Sequence, residues 1–264
     1  MNQNQNQTHD EPSVSILTIT QYSRRKCLTN LAQLIKSQLY KNITEWVIVD
    51  GSNHSADAIA NEKYIISQWK TLTLMPFNLE IVYIPFKPQQ HLSDLRNTGN
   101  NSCHGDIIVC MDDDDYYPPT RVSHAVYRLV NSSALIAGCS NAYIYFYLYN
   151  RLFQFRTFGP NHSTNNCMAY KREYLKNHSH ASGLDKAEES SFTNGFTEPM
   201  VQLDAGKCIV ISCHTKNTVD KDWICSDEKS KKIAIELNAA SYILDFIPLP
   251  ILLNMEKMFE EMIM

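Results

Sequence analysis

The chain has 264 residues, 44% hydrophobic and 20% charged, with a net charge of −4. That balance lacks the basic face that nucleic acid selects, and the length suits one medium domain whose core needs no disulfide or structural metal. The eight cysteines, at 27, 103, 110, 139, 167, 208, 213 and 225, include no C-x-x-C pair, which removes zinc-ribbon and thioredoxin readings.

Met1 to Pro12 is polar and rich in Asn and Gln. It lacks the basic and apolar regions of a signal peptide and reads as a disordered lead-in. Val14 to Thr20 is β-branched and compact, a buried strand. Cys27, Leu28, Leu31, Leu34 and Ile35 then fall on one helical face. The cluster Arg24-Arg25-Lys26 reads as a solvated helix face. Trp46 to Val49 is a second strand ending at Asp50-Gly51-Ser52, and Ile59 to Trp69 is an amphipathic helix. Leu79 to Ile84 is a third strand, Leu92 to Asn101 a polar helix, and Asp106 to Met111 a fourth strand. This alternation implies a parallel sheet covered on both faces.

Beyond residue 131 the expected strands are Ala134–Gly138, Tyr143–Tyr149, Arg151–Phe158 as a hairpin partner, Asn166–Tyr170 and Cys208–Ser212. A helix is expected from Lys171, another over Asp185–Phe192, and a helical tail from Lys229, broken at Pro248 and Pro250. The divisions are a lead-in (1–12), a first half (13–130), a second half of the same domain (131–228) and the tail (229–264). No apolar stretch is long enough to span a bilayer. Cysteines inside apolar runs suit buried, reduced thiols. Together these predict a soluble, intracellular protein. The apolar residues of the tail, from Ile243 to Leu253, suit core packing first, a homodimer contact next and membrane-surface attachment third.

In open parallel sheets ligands bind beyond the carboxyl ends of the strands. Thr20, Asp50 and Asp112 to Asp115 all lie just past apolar strands, so the fold gathers them on one rim. Four adjacent carboxylates repel one another unless a cation is near. If the run is extended, Asp112 and Asp114 point one way and Asp113 and Asp115 the other. Such a pair suits a hard divalent ion that bridges to phosphate oxygens. A solvated acidic loop is the plain alternative, but the strand before the run and the aromatics and prolines after it favour the metal. An EF-hand does not fit: the sixth position from Asp112 is Tyr117 and the twelfth Ser123.

These residues resemble the family 2 glycosyltransferases of the GT-A fold, over roughly residues 14 to 215. Val14 to Thr20 with Tyr22 resembles the first strand and its nucleotide-contacting turn. Val47-Ile48-Val49-Asp50-Gly51-Ser52 resembles the motif whose aspartate accepts a hydrogen bond from uracil. Leu95-Arg96-Asn97-Thr98-Gly99-Asn100 resembles the segment with a basic side chain at the nucleotide. Met111 to Asp115 resembles the D-x-D strand end, continued by Pro119 and Arg121.

The resemblance implies an α/β fold of GT-A type: a Rossmann-like, mostly parallel sheet flanked by helices and continuous with an acceptor-binding half. It implies a glycosyltransferase, hexosyltransferase-like and inverting, that uses a UDP-sugar and Mn²⁺ or Mg²⁺ and a glycan or protein acceptor. Thr20, Tyr22, Asp50, Arg96 and Asp113 are its expected nucleotide contacts, and Asp112 and Asp114 its metal ligands. His214, after a late strand, is placed where several such enzymes complete the metal or diphosphate site. The family's acceptor base lies in a Glu-Asp pair at a helix start. Here Glu188-Glu189 takes that place, with Glu189 preferred, Glu188 second and Asp185 third.

Phe196 is a candidate to stack on a sugar. Its loop and the Glu-Glu pair resemble a branch of the family found in large DNA viruses. Two rivals accompany this reading. One is a catalytically inactive nucleotide-sugar- or glycan-binding module of the same fold. The other, a sugar-phosphate nucleotidyltransferase, needs a Gly-rich loop where Gln21-Tyr22-Ser23-Arg24-Arg25 stands.

Overall fold

The computed structural model describes residues 11–52, 54–71, 79–85, 90–217, 220–226 and 228–263. Val14–Thr20 forms the central strand β1, with all seven residues buried, as its unbroken run of compact residues requires. Ile43–Asp50 (β2) lies parallel to it with Thr20 opposite Asp50, and Glu80–Ile84 (β3) lies parallel beyond β2. Ile107–Cys110 (β4) flanks β1 on the other side, also parallel.

Parallel neighbours need crossovers, which Arg25–Lys36 (α1), Ser55–Thr71 (α2) and Leu92–Ser102 (α3) supply. The buried face of α1 carries the apolar stripe legible in the sequence, Cys27, Leu28, Leu31, Leu34 and Ile35. In α3, Gly99 presses onto the sheet: a Cβ there would meet Leu17 Cδ1 at 2.3 Å and Val49 Cγ2 at 3.1 Å. Gly99→Ala is expected to destabilise the protein by about 2 kcal/mol through overpacking, measured by urea unfolding.

Arg121–Val130 (α4) leads into the second half. Ile136–Gly138 (β5), Ala169–Lys171 (β8) and Met200–Gln202 (β9) extend the first sheet, in the order β3-β2-β1-β4-β8-β5-β9 among the described residues. Strand β8 runs antiparallel to both neighbours. A smaller sheet joins the hairpin Tyr143–Phe146 (β6) and Arg151–Phe155 (β7) to Val210–Cys213 (β10) and Ala234–Leu237 (β11), in the order β10-β6-β7-β11. The short helices are Glu188–Phe192 (α5), Ala205–Cys208 (α6) and Trp223–Ser226 (α7). Ala239–Phe246 (α8) and Leu249–Ile263 (α9) close the chain.

Several boundaries differ from the sequence reading. The strand expected over Asn166–Tyr170 begins only at Ala169, because Asn165–Cys167 makes a 3₁₀ turn. The helix from Lys171 is a 3₁₀ turn, Arg172–Lys176. Asp185 to Ala187 are not helical: Ala187 sits in the left-handed region (φ 55°), so α5 starts at Glu188. The tail is not wholly helical, since β11 pairs with the otherwise open edge of β7. That pairing is fastened by the two-pronged contact of Arg151 with Glu236, at 2.7 and 2.8 Å.

The lead-in expected over 1–12 lies mostly outside the described residues. Its last two residues are tied down, Glu11 and Pro12 accepting bonds from Asn42 and Tyr40. Of the tail's apolar residues, Ile243, Ile247, Leu252, Met255, Met258 and Phe259 are buried, whereas Leu244, Leu249 and Leu253 are exposed. All eight cysteines are free thiols, seven of them buried. Among the described residues no helix is long and apolar enough to cross a membrane.

Candidate active site

The carboxyl ends of β1, β2 and β4 meet at one rim. Thr20, paired with Asp50 across the β1–β2 ladder, donates from Oγ1 to Asp113 Oδ2 at 2.7 Å. The acidic run is a turn rather than an extended strand, so its carboxylates do not alternate two and two. Each finds its own donors, as four like charges in one short segment require.

Asp112 faces the Arg96 fork at 3.3 and 3.5 Å. Asp113 is enclosed against Thr20, with Arg24 Nε 3.4 Å from its second oxygen. Asp114 Oδ2 accepts from Arg24 Nη1 (2.8 Å), His214 Nε2 (3.1 Å) and Asn217 Nδ2 (3.2 Å). Asp115 accepts from the Ser212 amide (2.8 Å) and Asn166 (2.7 Å).

These environments push neighbouring carboxyls apart in acidity. Burial would raise Asp114, but Arg24 and the His214 bond outweigh it and hold the group below the ordinary carboxylate range. Burial lifts Asp113 to about 7 despite Arg24, and lifts Asp115 well above its usual value, helped by the charges of Asp114 and Asp112. Arg24 is thus part of the site rather than a solvated helix face. Its neighbour Arg25 packs over the Tyr22 ring at 4.7 Å, and Lys26 bonds Glu261 at 2.8 Å.

Arg24, Arg96, Asp112 and Asp114 line a cleft of about 210 Å³, together with Glu188, Glu189 and Lys221. On its far wall, α5 presents the two glutamates in different states. Glu188 is buried and clamped, its Oε1 accepting from Arg96 Nε at 2.7 Å and from Asn165 at 3.3 Å. Glu189 is half-buried, and no side-chain bond ties it to another described residue. Burial raises its pKa, with the Glu188 and Asp112 charges adding to the shift. Asp185, the third candidate, is exposed and bonds His91 Nδ1 and the Leu92 amide.

Thr20, Tyr22, Asp50 and Asp113 stand behind the cleft rather than on its wall. Asp50 is fully buried, and its carboxylate is occupied: Oδ1 takes the Ser52 amide and hydroxyl, and Oδ2 takes Asn61 and the Tyr83 hydroxyl. The expected direct contact of Asp50 with a base edge is therefore not what the structure presents, because its lone pairs are spent inside the protein. Through Ser52 Oγ, which accepts from the Tyr22 amide at 2.9 Å, Asp50 instead fixes the turn after β1 to the end of β2. Phe196 packs at a tilt against His162, with ring centroids 4.6 Å apart, outside the cleft lining.

Among the described residues Asp114 Oδ1 receives no bond, and the Asp112 carboxylate makes only the two long contacts to Arg96. Two carboxylates on one cleft suit a hard ion that completes its shell with water and phosphate. His214 does not suit the ligand role in this arrangement. Its Nδ1 accepts the Lys216 amide at 3.2 Å, which leaves the proton on Nε2 pointing at Asp114, whereas a metal-bound imidazole donates from its other nitrogen. Among the described residues no group of three or more His, Cys, Asp or Glu side chains is arranged around a metal position.

Sequence reasoning missed Arg24, Asn165, Asn166, Asn217 and Lys221. For Arg24 the available signal was its place in the first turn after a buried strand, where rim residues collect. Lys221 belongs to an irregular segment with no periodic signal. It is half-buried, and its charge helps hold Asp114 ionised.

The fold has relatives among solved structures. The Staphylococcus aureus TarS 1–349 structure in complex with UDP-GlcNAc is 15% identical and superposes with a TM-score of 0.56, over 78% of this chain and 60% of that one. The mannosyltransferase PcManGT from Pyrobaculum calidifontis, in complex with GDP-Man and Mn²⁺, is 15% identical with a TM-score of 0.57, over 79% and 59%. The chain thus spans about three fifths of the length of these two crystallised chains. No curated protein matches the sequence. Residues 16–182 match the family described as Glycosyl transferase family 2. With that match over more than half its length and a GT-A architecture, the chain belongs to glycosyl transferase family 2.

Proposed function

We propose that the protein transfers a sugar from a nucleoside-diphosphate donor, a UDP-sugar, to an acceptor hydroxyl on a glycan or protein, with inversion. The observation that carries this is the shared cleft. An unclamped glutamate with a raised pKa faces carboxylates and cations that suit a diphosphate. The relatives crystallised with UDP-GlcNAc and with GDP-Man and Mn²⁺ support a nucleotide-sugar donor.

In this reading Glu189 accepts the proton of the acceptor hydroxyl. The oxygen attacks the anomeric carbon as the bond to the diphosphate oxygen breaks, and the leaving group departs from the opposite face. Glu188 holds Arg96 at the donor, and Lys221 and Arg24 face the diphosphate charge. Asp112 and Asp114 would hold Mn²⁺ or Mg²⁺, which supplies positive charge to the leaving diphosphate. Thr20, Tyr22, Asp50 and Asp113 shape the nucleotide wall from behind, and His214 aligns Asp114.

The deciding experiment is a calorimetric titration of UDP and GDP with and without Mn²⁺, followed by donor-sugar release in a mass-spectrometric donor screen. Manganese-dependent UDP binding with sugar release is the expected result. UDP binding with no turnover across donors and acceptors would leave only a binding module.

A base must be deprotonated to act. The acid limb of kcat/KM is therefore expected to lie above the ordinary glutamate range, with activity falling as pH drops through the raised Glu189 value. A limb at the ordinary glutamate value, read from a pH–rate profile, would point to another base.

A further inference from the structure

Two side chains that hold Asp114 Oδ2, Arg24 and His214, come from opposite ends of the sequence, and the C-terminal helix α9 touches the segments carrying both. The Phe259 ring lies flat on the His214 imidazole, with centroids 4.3 Å apart and planes 16° from parallel. The same ring is braced edge-on by Tyr147 at 4.7 Å, and the Tyr147 hydroxyl reaches Met255 Sδ at 3.4 Å. One turn on, Glu261 bonds Lys26 at 2.8 Å and Met262 meets the Cys27 thiol at 3.6 Å, on the first turn of α1 next to Arg24.

We propose that α9 is a positioning element for the donor site, and that Phe259 fixes the plane of His214 so that its Nε2–H is aimed at Asp114. The inference rests on the glycosyltransferase reading above. The physical argument is directional. The Lys216 amide holds one nitrogen of the imidazole and Asp114 meets the other, but a ring held at those two points still tips about the line between them. A second ring stacked on its face removes that freedom, so Asp114 is presented to the cleft in one orientation. Phe259 is itself only 3% exposed, and so does not reach the donor. It acts through His214 and Asp114.

The test uses the full chain and calorimetric titration of UDP in the presence of Mn²⁺. Phe259→Leu and Phe259→Met keep apolar volume but lose the flat ring, and either one suffices should the other fail to fold. Both are expected to weaken UDP binding about fivefold, the scale of one lost aromatic stack. Phe259→Tyr restores the ring and is expected to restore affinity. Leu252→Ala, a buried site about two turns before Phe259 on the same helix, is expected to lower the melting temperature while leaving affinity unchanged. Wild-type affinity in a folded Phe259→Leu or Phe259→Met protein, or an equal loss in Leu252→Ala, would overturn the inference while leaving the enzyme reading in place. Failure of the wild-type protein to bind UDP with Mn²⁺ removes the glycosyltransferase reading, and this inference with it.

Discussion

Glu189→Gln is expected to slow sugar transfer by about a thousandfold while leaving UDP affinity within about twofold, the scale of a lost general base. The amide keeps the size of the side chain and cannot take a proton. Among the described residues Glu189 has no ion-pair partner that its loss would orphan. Glu188→Gln is the informative contrast. Glu188 neutralises the buried Arg96, and breaking such a pair costs about 3–5 kcal/mol where a charge is left uncompensated; Asp112, at 3.3 Å, softens that loss. The Glu188 variant should therefore melt earlier and bind UDP more weakly, whereas the Glu189 variant should do neither. Single-turnover transfer assays beside thermal melts separate the two. A Glu189→Gln protein with wild-type turnover would move the base elsewhere.

Asp114→Asn is expected to lower transfer by about a hundredfold to a thousandfold, the range seen when one preorganised charge-stabilising group is removed, and to abolish the dependence of UDP binding on Mn²⁺. Asp114 is the only one of the four turn carboxylates that meets Arg24, His214 and Asn217 on a single oxygen. Asparagine matches its shape but offers no negative charge to a cation or to Arg24, which then keeps Asp113 alone. Calorimetry with and without EDTA, alongside donor hydrolysis, is the measurement. Metal-independent activity that is unchanged in Asp114→Asn would remove the cation from the reaction.

How far the site could be read in advance depended on the kind of signal each residue carried. Val14–Thr20, Ile43–Asp50 and Ile107–Cys110 are buried on both faces, so their composition is distinctive, and the rule that ligands gather past strand ends put Thr20, Asp50 and the acidic run together. Direction was another matter. Whether a carboxylate at that rim faces the cleft or the interior depends on donors contributed by remote segments: Asn61 and Tyr83 for Asp50, Asn166 and Ser212 for Asp115. Local spacing does not encode those donors.

The inward turn of Arg24 is hidden in the sequence for a related reason. A run of three cations looks solvated, yet its first member turns inward, its second lies on Tyr22 and Tyr64, and its third reaches Glu261 across 235 residues. The strand β11 escaped notice because its partner, β7, lies some eighty residues earlier. Pairing, rather than propensity, makes it a strand.

That late strand also has a bearing on how the chain can be trimmed. The segment Ala234–Leu237 caps the outer margin of the smaller sheet, covering the backbone amides and carbonyls of Leu152 to Phe155. Cutting the polypeptide upstream of it would bare a row of unmatched peptide groups beside Phe153 and Phe155, an invitation to self-association. The C-terminal stretch is in this sense a selvedge, binding off the outer edge of the smaller sheet.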